Sequence, residues 1–206
     1  HEITGGNPNF ISFVQRAVGY SLTGLTQEQC LFFLHGSGAN GKSVFLNVIS
    51  TLFGDYAEMA PSTLLSPKGN PDHVAIAGIH GARLVVASEV EENSKFSEAL
   101  IKQLSGGDPV TARSNYKDYF TYTPQYKIWI MGNHRPLIRG TDNGIWRRLK
   151  LIPFEVTFPP NKQDKDLEGK LKGESPGILN WALKGYKDWR EQGLNEPEIV
   201  TMATHE

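Results

Sequence analysis

One cysteine in 206 residues leaves no partner for an internal disulfide and no cluster for a cysteine-bound zinc. That residue, Cys30, sits in the apolar run Cys30-Leu31-Phe32-Phe33-Leu34, where a thiol serves as a small buried hydrophobe. No apolar run approaches the length that spans a bilayer, and no signal peptide is visible. A cytoplasmic protein without membrane contact is therefore expected. An excess of charge is also missing: 21 Lys and Arg face 22 Asp and Glu, for a net charge of −1. Proteins that grip nucleic acid across an open face carry a basic excess. Any such contact here must come from a few concentrated cations, for example around a central channel. There is no internal repeat and no low-complexity tract. Hydrophobic content of 39% supplies a core, and the length fits one sizeable domain with small helical additions. The chain starts at His1 rather than Met, which reads as a piece of something longer.

Against these absences stands one stretch, Gly36-Ser37-Gly38-Ala39-Asn40-Gly41-Lys42-Ser43. It reads G-x-x-x-x-G-K-S, a phosphate-binding loop. The apolar run before it is short enough for a buried strand. Val44, Phe45, Val48, Ile49, Leu52 and Phe53 after it repeat at helical spacing. Strand, glycine loop and helix form the context in which this motif binds phosphate. Its glycines let backbone N–H groups curl around phosphate oxygens, and the helix start adds partial positive charge. Lys42 is expected at the β- and γ-phosphates, and the Ser43 hydroxyl on Mg²⁺.

The remainder alternates strands and helices. Residues 1–29 form a helical segment in which Phe10, Phe13, Val14, Ala17 and Val18 share one face and Asn7 or Asn9 caps the start. Residues 55–70 read as irregular. Asn70-Pro71 opens a short helix that Gly81 ends, with His73 and His80 structural or exposed. Arg83 to Glu89 reads as a buried parallel strand, Ser97 to Leu104 as a helix, and Lys127 to Met131 and Leu149 to Phe154 as further strands. Val110 to Ala112 and Tyr119 to Tyr122 are two strands of a hairpin joined through Ser114 to Asp118. Asp164 to Lys172 is a surface helix. A last long helix starts at Ser175-Pro176, with Ile178, Leu179, Ala182, Leu183, Tyr186 and Trp189 on its apolar side and Gly193 at its end. Residues 30–157 form the core and 158–206 a C-terminal helical segment. The pattern predicts an α/β fold with a mostly parallel central sheet flanked by helices, a β-hairpin insertion and short helical extensions at both ends.

In such sheets ligands sit at the carboxyl ends of the strands. Glu89 closes one strand, where an acid holds Mg²⁺ or polarises the attacking water. Glu91 and Glu92 follow closely and read as a solvated acidic loop, though any of the three acids can fill that role. Asn133 ends the next strand, where an amide can hydrogen-bond the γ-phosphate or the water. His134 reads as structural. Arg147 and Arg148 offer guanidinium groups for transition-state charge, from a neighbouring subunit in an oligomer, or salt bridges at the surface.

With these residues in place the chain resembles a superfamily 3 helicase, a branch of the AAA+ ATPases, and looks closest to the phage, plasmid and poxvirus primase-helicase group. The resemblance rests on Gly36 to Ser43, Leu84 to Glu89, Leu100 to Asp108 with Ala112-Arg113, Ile130 to Pro136, and Trp146-Arg147-Arg148 before Ile152-Pro153-Phe154. It implies an AAA+-type P-loop NTPase core. By resemblance, Gly36 to Ser43 is the Walker A motif, Glu89 falls in the Walker B motif, and Asn133 matches the motif C sensor. Arg148 matches the arginine finger donated to the next subunit, with Arg147 as the competing choice. Ala112 to Tyr122 matches a hairpin that projects into a central pore. Lys117 near its tip would hold a phosphate of single-stranded DNA, and Tyr116 would add stacking. Lys102 matches a basic position that contacts nucleotide across the interface. Many relatives carry two acids where Ser88 precedes Glu89 here, so the metal depends more on Ser43, water and the phosphates.

The implied protein is an ATP-dependent DNA helicase motor of a phage or plasmid replication protein. It would use ATP and Mg²⁺ in a homo-hexamer, with a primase domain elsewhere in the full-length chain and a place in the host cytoplasm. A replication initiator or remodeller that hydrolyses ATP without unwinding keeps the same site. A nucleotide-binding scaffold without turnover rests only on Ser88. Nothing resembles the guanine-reading N-K-x-D loop, which favours adenine as the base.

Overall fold

The structure, a computed structural model, describes residues 1–66, 72–90, 95–135 and 143–205, with the side chains of residues 88–90, 143 and 205 outside that description. Helix α1 (Pro8–Ser21) is capped by Asn7, whose side-chain oxygen accepts from the Asn9 and Phe10 amides. Pro8 takes the first helical turn, where a missing N–H costs nothing. The helix stops at Ser21. Glu2–Thr4 is only a 3₁₀ turn and residues 22–30 are loop, so helix fills less of 1–29 than expected.

Strand β1 (Leu31–His35) leads through the glycine loop into α2 (Lys42–Phe53), which Gly54 ends. Strand β2 (Ala57–Ala60) lies where irregular chain was expected. Ala-Glu-Met-Ala has little strand preference of its own, and pairing with its neighbour sets its conformation. Helix α3 (His73–Gly78) is capped by Asp72, which accepts from the Val74 and Ala75 amides. The expected cap, Asn70-Pro71, lies outside the described residues, and the helix ends at Gly78 rather than Gly81. There follow β3 (Leu84–Val90), α4 (Glu98–Ser105), β4 (Val110–Ala112), β5 (Phe120–Tyr122), β6 (Lys127–Gly132), α5 (Asn143–Trp146) and β7 (Leu149–Pro153). Helices α6 (Leu167–Gly173), α7 (Ser175–Gln192) and α8 (Glu198–His205) complete the described chain.

Five strands form one sheet in the order β2-β3-β6-β1-β7, and every neighbouring pair is parallel. Alternate residues of each strand enter opposite cores, as the two-residue period demands. Leu31, Phe33, Val85, Ile128 and Ile130 face one side with α4. Phe32, Leu34, Leu84, Val86 and Trp129 face the other with α1 and α2. Both faces being covered explains the unbroken apolar runs. Strands β4 and β5 pair antiparallel as a separate two-stranded sheet, the expected hairpin.

Helices α1 and α7 cross through two glycines. A Cβ on Gly19 would lie 2.1 Å from the Tyr186 nitrogen, and one on Gly185 2.0 Å from the Gln15 carbonyl oxygen. This contact turns α7 so that Ala182, Gly185 and Trp189 are buried, while Leu179 and Leu183, expected on the buried side, are exposed. At the amino end of β6 the buried Lys127 ammonium donates to the Thr23, Leu25 and Gln125 carbonyls and sits 4.9 Å from the centre of the Tyr20 ring. Burial, with the charge of Arg83, pulls its pKa down to about 7. Among the described residues no helix is long and apolar enough to cross a membrane.

Candidate functional site

The loop between β1 and α2 leaves the carboxyl end of an interior strand, between β6 and β7. Gly38 (φ 99°), Ala39 (φ 47°) and Gly41 (φ 87°) have left-handed backbone, which turns successive N–H groups toward one hollow. Gly36 is required for a different reason: a Cβ there would lie 2.3 Å from both the Asn40 amide nitrogen and the Phe154 carbonyl oxygen. The hollow is a cavity of about 330 Å³, lined by Gly38 to Val44 and by Met131, Gly132 and Asn133.

The strand order places Asn133 here. Strand β6 lies between β1 and β3, so its carboxyl end falls between the phosphate loop and the end of β3. Lys42, buried at the start of α2, donates through Nζ to the Gly36 carbonyl at 2.7 Å, to Asn40 Oδ1 at 3.0 Å and to Asn133 Oδ1 at 3.2 Å. The last bond joins two residues 91 positions apart. Asn40 is a brace that spacing alone does not reveal. It is buried, and its Nδ2 donates to the Phe154 carbonyl at 2.9 Å. A second tie joins the Phe158 amide to the Ala39 carbonyl at 2.8 Å. The segment after β7 therefore holds the loop at two points.

The surroundings suit an anion. Burial first, then the charges of Arg135, Lys42 and His134, lower the pKa of His35 at the end of β1. The Ser43 hydroxyl is exposed, and its bond to Met131 Sδ at 3.6 Å is to a weak acceptor, so a hard cation can claim its oxygen. Among the described residues no group of three or more His, Cys, Asp or Glu is arranged to hold a metal. A metal here would need phosphate and water as additional ligands. A larger hollow of about 830 Å³ shares Ala39, Gly41 and Val44 with the first. Its walls are mainly apolar and include Ile3, Ile11, Phe45, Leu167 and Trp181. These residues come from five separate elements of the chain, which is why no motif pointed to it.

The backbone of Glu89 lies in β3, one residue before Val90, which pairs with Gly132 beside Asn133. Its side chain, and all of Glu91 and Glu92, lie outside the described residues. The two arginines are not at this site. The Leu31 amide donates to the Arg148 carbonyl at 2.8 Å, so both stand at the amino end of β1, opposite the loop. The two differ in exposure. Arg148 is buried and donates to the Gln29 carbonyl at 3.3 Å and Ser105 Oγ at 3.4 Å, whereas Arg147 is exposed. A side chain packed within its own fold is poorly placed to reach another subunit. Lys102 is half-buried on α4.

The hairpin has a fixed base and an open tip. Val110 and Ala112 are buried. The Arg113 amide donates to the His73 carbonyl at 3.1 Å, His73 Nδ1 lies 2.9 Å from the Thr111 carbonyl, and the Tyr122 hydroxyl donates to the Ile76 carbonyl at 2.8 Å. These bonds tie it to α3. At the turn Tyr116 has φ 59° and is fully exposed, and Lys117 beside it is exposed.

A parallel α/β sheet with a glycine cradle at the carboxyl end of β1 defines a core of the P-loop NTPase class. More particularly, residues 34–148 match the family of unknown function DUF5906, and the chain belongs to that family. It is 32% identical over 205 aligned residues, 90% of this chain, to the mimivirus protein named "Putative helicase L207/L206" (Acanthamoeba polyphaga mimivirus). It is 30% identical over 145 residues, 67% of this chain, to "Primase D5" of Fowlpox virus. The alignments cover 21% and 18% of those two proteins, so the chain spans about a fifth of their length. Among solved structures, the C-terminal region of NrS-1 superposes with a TM-score of 0.67 over 95% of this chain and 46% of that one, at 12% identity, a likeness of fold.

Proposed function

We propose that this chain is the ATP-hydrolysing motor of a superfamily 3 helicase of the AAA+ type, acting on DNA in viral or plasmid replication. The observation that carries the reading is the convergence of Lys42 and Asn133 on one cavity, at 3.2 Å, beside the strand that bears Glu89. The helicase and primase names of its relatives in large DNA viruses support it.

In this reading the N–H groups from Gly38 to Ser43 bind the β-phosphate. Lys42 trades its carbonyl and amide partners for β- and γ-phosphate oxygens. Asn133, released from Lys42, orients the attacking water or the γ-phosphate. Glu89 takes the proton of that water. The Ser43 hydroxyl, with water, the phosphates and Glu89 acting through water, would hold Mg²⁺, which when bound screens the phosphate charge. The apolar hollow receives the base, and its walls suit an adenine ring. Arg147 serves the site of the next subunit. It is exposed and stands at the far end of a five-residue strand from its own loop, roughly 13–16 Å away at the usual rise. A ring, hexameric by family resemblance, brings several Lys117 side chains to one strand, which reconciles DNA contact with a net charge of −1.

Phosphate release tests the reading. Lys42→Ala is expected to abolish ATP hydrolysis, and Lys117→Ala to abolish its stimulation by single-stranded DNA. Normal hydrolysis by Lys42→Ala would refute the site. Undiminished stimulation in Lys117→Ala would refute the motor and favour an initiator or remodeller.

A further inference from the structure

The solvent face of the hairpin carries more than its tip. Side chains alternate along the two strands: Val110 and Ala112 point inward, while Thr111 and Arg113 are exposed. On the opposing strand Tyr119 and Thr121 are exposed. The Thr111 and Thr121 hydroxyl oxygens are 3.4 Å apart across the face. Two residues nearer the tip, beyond the Ala112–Phe120 pair, the Arg113 guanidinium lies 4.9 Å from the centre of the Tyr119 ring. His73 meets that ring edge-on, with centroids 5.3 Å apart and planes at 88°.

Two features of this cluster call for an explanation. Tyr119 keeps 56% of its surface in solvent although two neighbours fix its orientation. Arg113 makes no ion pair with a carboxylate among the described residues. An exposed aromatic ring held still offers a stacking surface at little further cost in conformational freedom. A guanidinium held beside it can offer two parallel N–H groups to an acceptor with two oxygens, which a phosphate supplies. Lys117 is exposed in the turn that joins the two strands, and Asp118 is the one acid between Arg113 and Tyr122.

We propose that Arg113 and Tyr119 form a second contact for single-stranded DNA on the hairpin, Tyr119 stacking a base and Arg113 holding the adjoining phosphate. The strand then runs from Lys117 at the tip onto the hairpin face. This rests on the motor reading above, because it presumes that the hairpin meets single-stranded DNA. The contact tolerates any sequence, since every base has a π-face.

Fluorescence anisotropy with labelled oligo-dT across a salt series tests it. Tyr119→Leu is expected to weaken binding at least about fivefold, and Tyr119→Phe to stay within about twofold of the parent. Arg113→Gln is expected to lower the slope of log K against log salt by about 0.7, one phosphate contact on a single strand. Arg113 is exposed, so this arm stands even if Tyr119→Leu loses its fold. Parental affinity and slope in Tyr119→Leu and Arg113→Gln, with binding lost in Lys117→Ala, would overturn the proposal, reduce the pair to a hairpin brace and leave the motor reading intact. A parent chain that does not bind oligo-dT would overturn both.

Discussion

Asn40→Ala removes a side chain that ties the phosphate loop both to Lys42 and to the segment behind it. Two bonds go, one to the Phe154 carbonyl at 2.9 Å and one from Lys42 Nζ at 3.0 Å. Asn40 is 2% exposed, so water does not readily replace its amide, and the Phe154 oxygen is left short of a donor. Leaving a buried acceptor unpaired costs about 1–3 kcal/mol. Lys42 keeps the Gly36 carbonyl and Asn133, so its position loosens rather than collapses. The Phe158 to Ala39 bond survives as well. Urea denaturation is therefore expected to show a loss of about 1–3 kcal/mol, and ATP titration a raised KM with a smaller fall in kcat. A loss below about 0.5 kcal/mol together with an unchanged KM would refute the bracing role, because surface substitutions away from such features give changes of that size.

Two further expectations concern the scaffold. Gly185→Ala forces a methyl against the Gln15 carbonyl, so α1 and α7 must separate, and denaturant unfolding should show a loss of about 3 kcal/mol. The second concerns Lys127, whose pKa is about 7 in the fold against an ordinary 10.5. Between those values the unfolded chain binds more protons, so stability rises with pH. From pH 7 to about 8.5 the gain should be on the order of 1–2 kcal/mol, and Lys127→Met should flatten it. Above pH 9 the trend opposes this, since burial lifts the Cys30 thiol from 9.0 to about 12.

The parts of this molecule that were readable in the sequence are those with local chemistry. The glycine loop, the buried strands β1, β3, β6 and β7, and the β4–β5 hairpin follow from residue type and period over short spans. Strand β2 was not readable, because Ala-Glu-Met-Ala becomes a strand only by pairing with β3. Nor was the face of α7: Leu179 and Leu183 fit a helical stripe, but Gly19 against Gly185 sets the rotation of the helix. The burial of Arg148 beside an exposed Arg147 depends on Gln29 and Ser105, both remote in sequence. Within the candidate site, Lys42 and Asn133 were each identifiable from a strand end or a motif. Their contact depends on strand order, which no local pattern encodes.

Mixing two inactive variants addresses the proposed sharing of the site between subunits most directly. Lys42→Ala and Arg147→Ala are each expected to lose ATP hydrolysis, one from the loop side of the interface and one from the arginine side. Combined in equal amounts, they should regain about a quarter of parental hydrolysis, since random assembly of a ring with head-to-tail interfaces joins an intact loop to an intact arginine at that frequency. Full activity in Arg147→Ala alone, or a mixture as inactive as its components, would contradict a site completed by the neighbouring subunit.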